Sequence, residues 1–352
     1  MKNLDVTASP DFKFGFTITD LYRQEGLQRL DQKFMDFLRD GDESLHQKLG
    51  YARAHPDDLS PKDDSALLIE VAPWVEDFIA RLFNIESEVK ALAARHHELA
   101  PLYFCKRQFV QRRAKGKVSD AELAEIDGLA LEKELAAEFG VTFSELVFAT
   151  QVTHWMEAEA DNEARLNKAL HYAAWALRTP AGQHHTQHGI LFKSPAKLDF
   201  QHLLTLDTDQ SAGYPVHRLG HLRERNGFAL TDQGTDLMGA LDEANYCIWC
   251  HEQGKDSCSK GMIQKPKSPE ELPAFKKSEL GALLAGCPLE ERISEFHKLK
   301  TQGVAVGSLA MITLDNPMCA GTGHRICNDC MKSCIYQKQE PVDIPQAETR
   351  TL

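Results

Sequence analysis

The chain has 352 residues, 42% of them hydrophobic, and its 52 Asp and Glu against 40 Lys and Arg give a formal net charge of −12. That length suffices for two or three domains of ordinary soluble composition, and so acidic a balance argues against nucleic acid as a partner, RQFVQRRAKGK (107–117) being the one basic stripe. No apolar run approaches the roughly 18 residues of a membrane span, and MKNLDVTASPDFKF lacks a signal-peptide core, so the expectation is a cytoplasmic protein with no membrane partner.

In chain order, LYRQEGLQRLDQKFMDFLRD (21–40) reads as an amphipathic helix with Leu27, Leu30, Phe34 and Leu38 on one face. After a polar break at 55–64, Pro73 is placed to open a second helix buried through Val75, Phe78, Ile79 and Leu82. The basic run 107–117 reads as a helix end that loops out. Ser119 with Glu122, and Thr142 with Glu145, have the spacing of capping boxes. The first predicts a helix ending at Gly140; the second predicts a long helix through Leu146, Val152, Trp155, Leu166, Leu170 and Leu177, stopped by Pro180 and Gly182. Residues 180–240 change to turns, Gly and short apolar runs, read as loops with a small hairpin. The lysine-rich, three-proline stretch 260–277 reads as an exposed loop, and Pro288 as the start of a helix buried through Leu289, Ile293, Phe296 and Leu299. The fold class expected is mainly α, with a helical region over 1–240, role unassigned, and a small helical cysteine-rich domain over 241–352.

Eight of the nine cysteines lie in that last third, Cys105 alone standing apart. A reducing compartment makes them poor disulfide material. They fall into Cys247-x2-Cys250-x7-Cys258, then Cys287-Pro288, Cys319, and Cys327-x2-Cys330-x3-Cys334. Two intervening residues let both sulfurs reach one centre from a single turn; a centre takes four thiolates, and seven or eight ligands imply two centres. Structural zinc shares the paired C-x2-C pattern. The triplet and separate Cys-Pro favour iron–sulfur clusters, with zinc as the rival and a zinc-stabilised interaction module as the alternative function. The order matches neither the simple ferredoxin run nor the motif of radical enzymes that cleave S-adenosylmethionine, so electron relay is the expected role rather than substrate chemistry at an open iron. A thiolate at Cys287 is expected to gain from the dipole of the helix at Pro288.

GCPLEERISEFHKL (286–299) resembles the Cys-Pro-Leu helix of the N-terminal double-cluster domain of the glutamate synthase small subunit, which dihydropyrimidine dehydrogenase shares; TGHRICNDCMKSCIYQKQEPVDIPQAE (322–348) resembles that domain's last cysteine group and its Pro-Val-x-Ile segment. The resemblance covers about residues 241–352, with longer gaps at 251–257 and 259–286. It implies one [4Fe-4S] cluster on Cys247, Cys250, Cys258 and Cys334, and a second on Cys287, Cys327 and Cys330 with Cys319 or Glu348 as eighth ligand. It further implies an oxidoreductase component fed by NAD(P)H through FAD on a following domain or partner flavoprotein, with an amidotransferase-type large subunit as acceptor. No G-x-G-x-x-G follows a strand here, so flavin and nucleotide are expected elsewhere and the chain reads as a fragment or a docking subunit.

Other candidates are weaker. His184, His185 and His188, or His217 and His221, have ligand-like spacing, although hydrogen-bonded turns are the commoner use; His96 and His97 read as surface. Nothing chemical in residues 180–240 supports a complete enzyme.

Overall fold

The computed structural model describes residues 12–204, 206–219, 226–229, 234–266, 268, 272–322 and 327–352. The fold is mainly helical. Helices α1 (Gln24–Gly41), α2 (Glu43–Ala54) and α3 (Pro61–Phe83) come first. Asp42 caps α2 by accepting from Leu45 N, and Ser60 caps α3 by accepting from Asp63 N, which places Pro61 at the first turn, where a missing N–H is harmless. The left-handed Asn84 ends α3. Phe34, Leu38, Leu45, Leu49, Leu67, Val71 and Phe78 fill the space between these helices.

Helix α4 (Glu86–Cys105) runs on into a π-helix, Lys106–Ala114. It packs with helices Glu145–Glu157 and Glu163–Arg178 around the buried rings of Phe109, Phe148, Tyr172 and Phe192. Strands β1 (Leu206–Asp209) and β2 (Val216–Leu219) form an antiparallel hairpin in register Leu206↔Leu219. Further on, β3 (Ile263–Gln264) pairs with β4 (Ala274–Phe275).

A third core gathers Ile293, Phe296, Leu299, Met311, Ile312, Val342 and Ile344 with five cysteines, and reaches back to Ala72 on α3. Helix Ala305–Asp315 lies close against α3: a Cβ on Gly307 would come within 2.8 Å of the Ala72 carbonyl oxygen. Glu76 on α3 accepts from the backbone N–H groups of Val306 (2.7 Å) and Gly307 (3.1 Å), donors that a helix start leaves unpaired. Arg292 bridges Asp64 on α3 (3.0 Å) and Asp315.

Several sequence expectations change. Pro73 lies inside α3, because Ser60–Pro61 supplies the better start twelve residues earlier and burial of Val71 and Ala72 outweighs the donor the proline removes. Leu27 faces solvent, while Phe34 and Leu38 are buried. The Ser119–Glu122 capping box forms, yet its helix stops at Ala124, and Asp127 caps a separate helix, Gly128–Phe139, that Gly140 ends. Ser144, not Thr142, caps the next helix; Glu145 turns away to accept from Ile190 N and Leu191 N. A 3₁₀ turn at Glu159–Asn162 splits the long helix in two, and Pro180 opens a short one, Pro180–His185. The basic run 107–117 continues the α4 axis instead of looping out, with Phe109 and Val110 buried and Arg113 paired to Glu159. No helix among the described residues is long and apolar enough to cross a membrane.

Candidate metal centre

Helix Leu237–Tyr246 delivers Cys247 at its C-terminal cap. Trp249, in the left-handed region at φ 52°, then reverses the chain so that Cys250 opens a 3₁₀ turn ended by Gly254. Asp256 caps the turn Ser257–Lys260, which carries Cys258. Gly261 and Gly286 both have φ near 80°, and their backbones touch: a Cβ on Gly286 would lie 2.4 Å from Gly261 N. Only glycine tolerates both demands. This contact lets Cys287 N–H donate to the Cys258 carbonyl at 2.8 Å. Gly286 N–H donates to Ser333 Oγ at 2.9 Å, and Ser333 lies between Cys330 and Cys334.

The cysteines sort into two groups that cut across chain order. Cys247, Cys250, Cys258 and Cys334 line one pocket with Ile248, Ile293, His297, Ile335, Tyr336, Val342 and Ile344. All four are buried, none more than 8% exposed. Burial, then the neighbouring thiols of the group, push Cys247 up to about 12; burial, Asp256 and Cys334 push Cys250 up to about 11. Cys258 stands well above its ordinary value for the same reasons, with its Sγ donating to Asp256 Oδ1 at 3.1 Å.

The second group is Cys287, Cys327 and Cys330. Burial raises Cys330, helped by Cys287 and Cys327. The two candidates for a further ligand meet there: Cys319 Sγ donates to Glu348 Oε1 at 3.6 Å, and both are buried. Burial and the nearby Glu291 lift the Glu348 carboxyl to about 7, and Glu348 also acts on Cys330. The expected helix at Pro288 begins instead at Ile293, with Leu289 exposed and Glu290 at φ 51°. The dipole argument for Cys287 therefore lapses, and the backbone N–H groups of Glu291 and Leu289 take its place at that sulfur.

Backbone donors at sulfur recur. Trp249 N–H donates to Cys247 Sγ at 3.4 Å, Ser257 N–H serves Cys250, Met331 N–H serves Cys330, and Tyr336, Val342 and Ile335 serve Cys334. All nine cysteines are free thiols. Four buried thiols facing a shared apolar pocket, with amide donors already aimed at sulfur, fit a cubane cluster, whose charge such bonds stabilise. Among the described residues no three His, Cys, Asp or Glu side chains converge on one point as ligands to a single ion.

Sequence reasoning missed His297, which is wholly buried on this pocket with neither ring nitrogen partnered. Burial and the Lys300 ammonium hold its imidazole down to about 3, so it is neutral. Unpaired buried polar atoms cost about 1–3 kcal/mol each. Its spacing, four residues after Ile293 on the face that also carries Phe296, was the available signal. Behind the pocket, His251 Nδ1 meets Ser294 Oγ at 2.6 Å and Ser65 Oγ donates to Glu295 Oε1 at 2.6 Å, tying the cysteine loop to α3.

The other candidates do not assemble. His185 Nε2 is held by Glu132 at 2.7 Å, and His184 and His188 do not join it around an ion. His217 Nδ1 pairs with Thr208 Oγ1 at 3.0 Å, while His221 lies outside the described residues. His97 is exposed as expected, but His96 is buried, with Nδ1 on the Leu92 carbonyl. Cys105 belongs to the helical core.

Against known proteins, the chain aligns over 299 residues at 33% identity with the uncharacterized protein RP005 of Rickettsia prowazekii (strain Madrid E), covering 83% of this chain and 98% of that one. The chain belongs to the RP005 family. The family model for the RP005 N-terminal alpha-helical domain matches residues 12–84, which is the α1–α3 unit up to the left-handed Asn84. Over 35 residues the chain is 69% identical to the uncharacterized protein RP006 of the same organism, 10% of this chain and 5% of that protein. No solved structure matches.

Proposed function

We propose that the chain is a cytoplasmic electron-transfer module that holds two [4Fe-4S] clusters and relays single electrons between an FAD- and NAD(P)H-binding flavoprotein, as a following domain or partner, and an acceptor. The observation that carries this reading is the meeting of Cys334 with Cys247, Cys250 and Cys258 in one buried pocket, across more than seventy intervening residues. The resemblance to the glutamate synthase small subunit suggests the same ligand set and an amidotransferase-type acceptor.

Each cluster, when bound, supplies a site that takes up and gives back one electron. The chain's own residues do the rest. Cys247, Cys250, Cys258 and Cys334 would hold one cluster, and Cys287, Cys327 and Cys330 the other, with Glu348 or Cys319 completing it. Ile293, Val342 and Ile344 exclude water from the first pocket, and the amides of Trp249, Ser257 and Tyr336 stabilise charge on sulfur. The adjoining backbone of Cys258 and Cys287 sets the two groups side by side.

The test is an anaerobic absorption spectrum of fresh protein with iron, sulfide and zinc measured on the same sample. A broad band near roughly 400 nm that dithionite bleaches, with about eight irons per chain, is the expected result. A colourless protein with about two zinc ions that stays colourless after anaerobic reconstitution would overturn electron transfer in favour of a zinc-stabilised interaction module.

A further inference from the structure

His297 is the largest polar group in the first pocket that the protein leaves without a use. It lies on helix Ile293–Thr301, fully buried, and lines the pocket beside Cys247, Cys250, Cys258 and Cys334. Neither ring nitrogen has a protein partner. Apart from the pocket's thiols, its surroundings offer none. Phe296 packs edge-on against the ring, with centroids 4.4 Å apart, Ile293, Val342 and Ile344 are apolar, and Lys300 Nζ is engaged with Thr351 Oγ1 at 2.8 Å. A neutral imidazole carries one N–H donor and one acceptor nitrogen. Buried polar groups in native proteins are almost always paired, so the partner of this one is what fills the pocket.

Resting on the iron–sulfur reading above, we infer that His297 donates its ring N–H to sulfur of the cluster held by Cys247, Cys250, Cys258 and Cys334, and so raises that cluster's reduction potential. The reduced cluster carries one more negative charge, and a donor aimed at its sulfur favours that state. The backbone amides at the cysteines act on both groups alike. His297 lines the first pocket, so its effect is confined to one of the two clusters.

The experiment is a redox titration of the full, reconstituted chain followed by electron paramagnetic resonance, comparing wild type, His297→Leu and His297→Gln, with iron and sulfide content measured on each. Leu keeps bulk without a donor; Gln restores one. The expected result is a fall in one of two midpoint potentials in His297→Leu, an unmoved second midpoint, and partial recovery in His297→Gln. Identical midpoints in wild type and His297→Leu overturn the inference. Should His297→Leu fail to load, the wild type decides: with histidine selectively labelled with ¹⁵N, pulsed resonance of the reduced protein is expected to show an imidazole nitrogen coupled to one cluster, and its absence overturns the inference. A wild-type chain that takes up no iron or sulfide overturns the cluster reading and this inference with it; a loaded chain indifferent to His297 overturns the inference alone.

Discussion

The helical core around Phe148 and the cysteine core around Ile293 are built on opposite terms. Phe148 has the rings of Phe109, Phe139, Phe143, Tyr172 and Phe192 about it, with centroids 5.2 to 6.4 Å away. The polar tip of Tyr172 is satisfied by Glu132 at 2.7 Å. Aromatic packing fills that core. The cysteine core buries thiols where such rings would be, and leaves His297, Trp249 Nε1, His251 Nε2 and Ser257 Oγ without partners. Both are about equally dry, so burial does not separate them. Unpartnered atoms flank the helical core as well, at Glu145 Oε1, Thr153 Oγ1 and His96 Nε2; what separates the two is that the cysteine core gathers four thiols and a histidine with both ring nitrogens unpartnered onto one pocket.

On the proposed iron–sulfur reading, this contrast is broken most directly by removing the clusters. With a strong chelator, hydrogen exchange over 247–258 and 327–352 is expected to go from protected to fast, while 128–178 keeps its protection; uniform loosening of both regions would erase the distinction. Next in size, Phe148→Ala opens a cavity in the aromatic core and is expected to lower stability by about 3–5 kcal/mol, by the same amount in loaded and stripped protein. A loss that depended on metal, read from denaturant melts of the two forms, would mean that the cores are coupled.

The smallest effect sharpens the comparison through pH. Burial lifts the Glu243 carboxyl to about 7 while its oxygen accepts from Asp343 N. The ordinary carboxyl loses its proton near 4.5 in the unfolded chain, so between there and 7 the folded state holds more protons and stability falls as pH rises. Glu243→Gln, neutral and still an acceptor, is expected to remove that part of the fall, at most roughly 3 kcal/mol. Asp256 and Glu348 are raised in the same direction and keep some of the slope. Melting temperatures of the stripped protein at pH 5 and 7.5 measure it, and an unchanged slope in the variant would remove Glu243 as a cause.

Much of the site was legible because thiols close in sequence report on chemistry before folding. The pairing of Cys334 with Cys247, against its neighbour Cys330, came only by resemblance, since no spacing rule links positions so far apart. The contact of Gly261 with Gly286 was hidden for the same reason. Helices showed through where an apolar stripe was long, and their starts failed where two signals competed: Ser60–Pro61 against Pro73, and Ser144 against Thr142. His297 escaped because a polar residue on an apolar face reads as noise until its partners can be counted.

The grouping of the cysteines also sets a timetable for synthesis. The chain emerges from its N-terminus, and every buried residue of the Phe148 core lies before residue 193. That core has all its parts while the cysteine region is still being made. Cys247, Cys250 and Cys258 then leave the ribosome seventy-six to eighty-seven residues ahead of Cys334, and Val342 and Ile344 come later still. Until those residues arrive, three thiols wait in an unfinished pocket, open to oxidants. The long reach that makes the pocket specific also makes the nascent chain vulnerable.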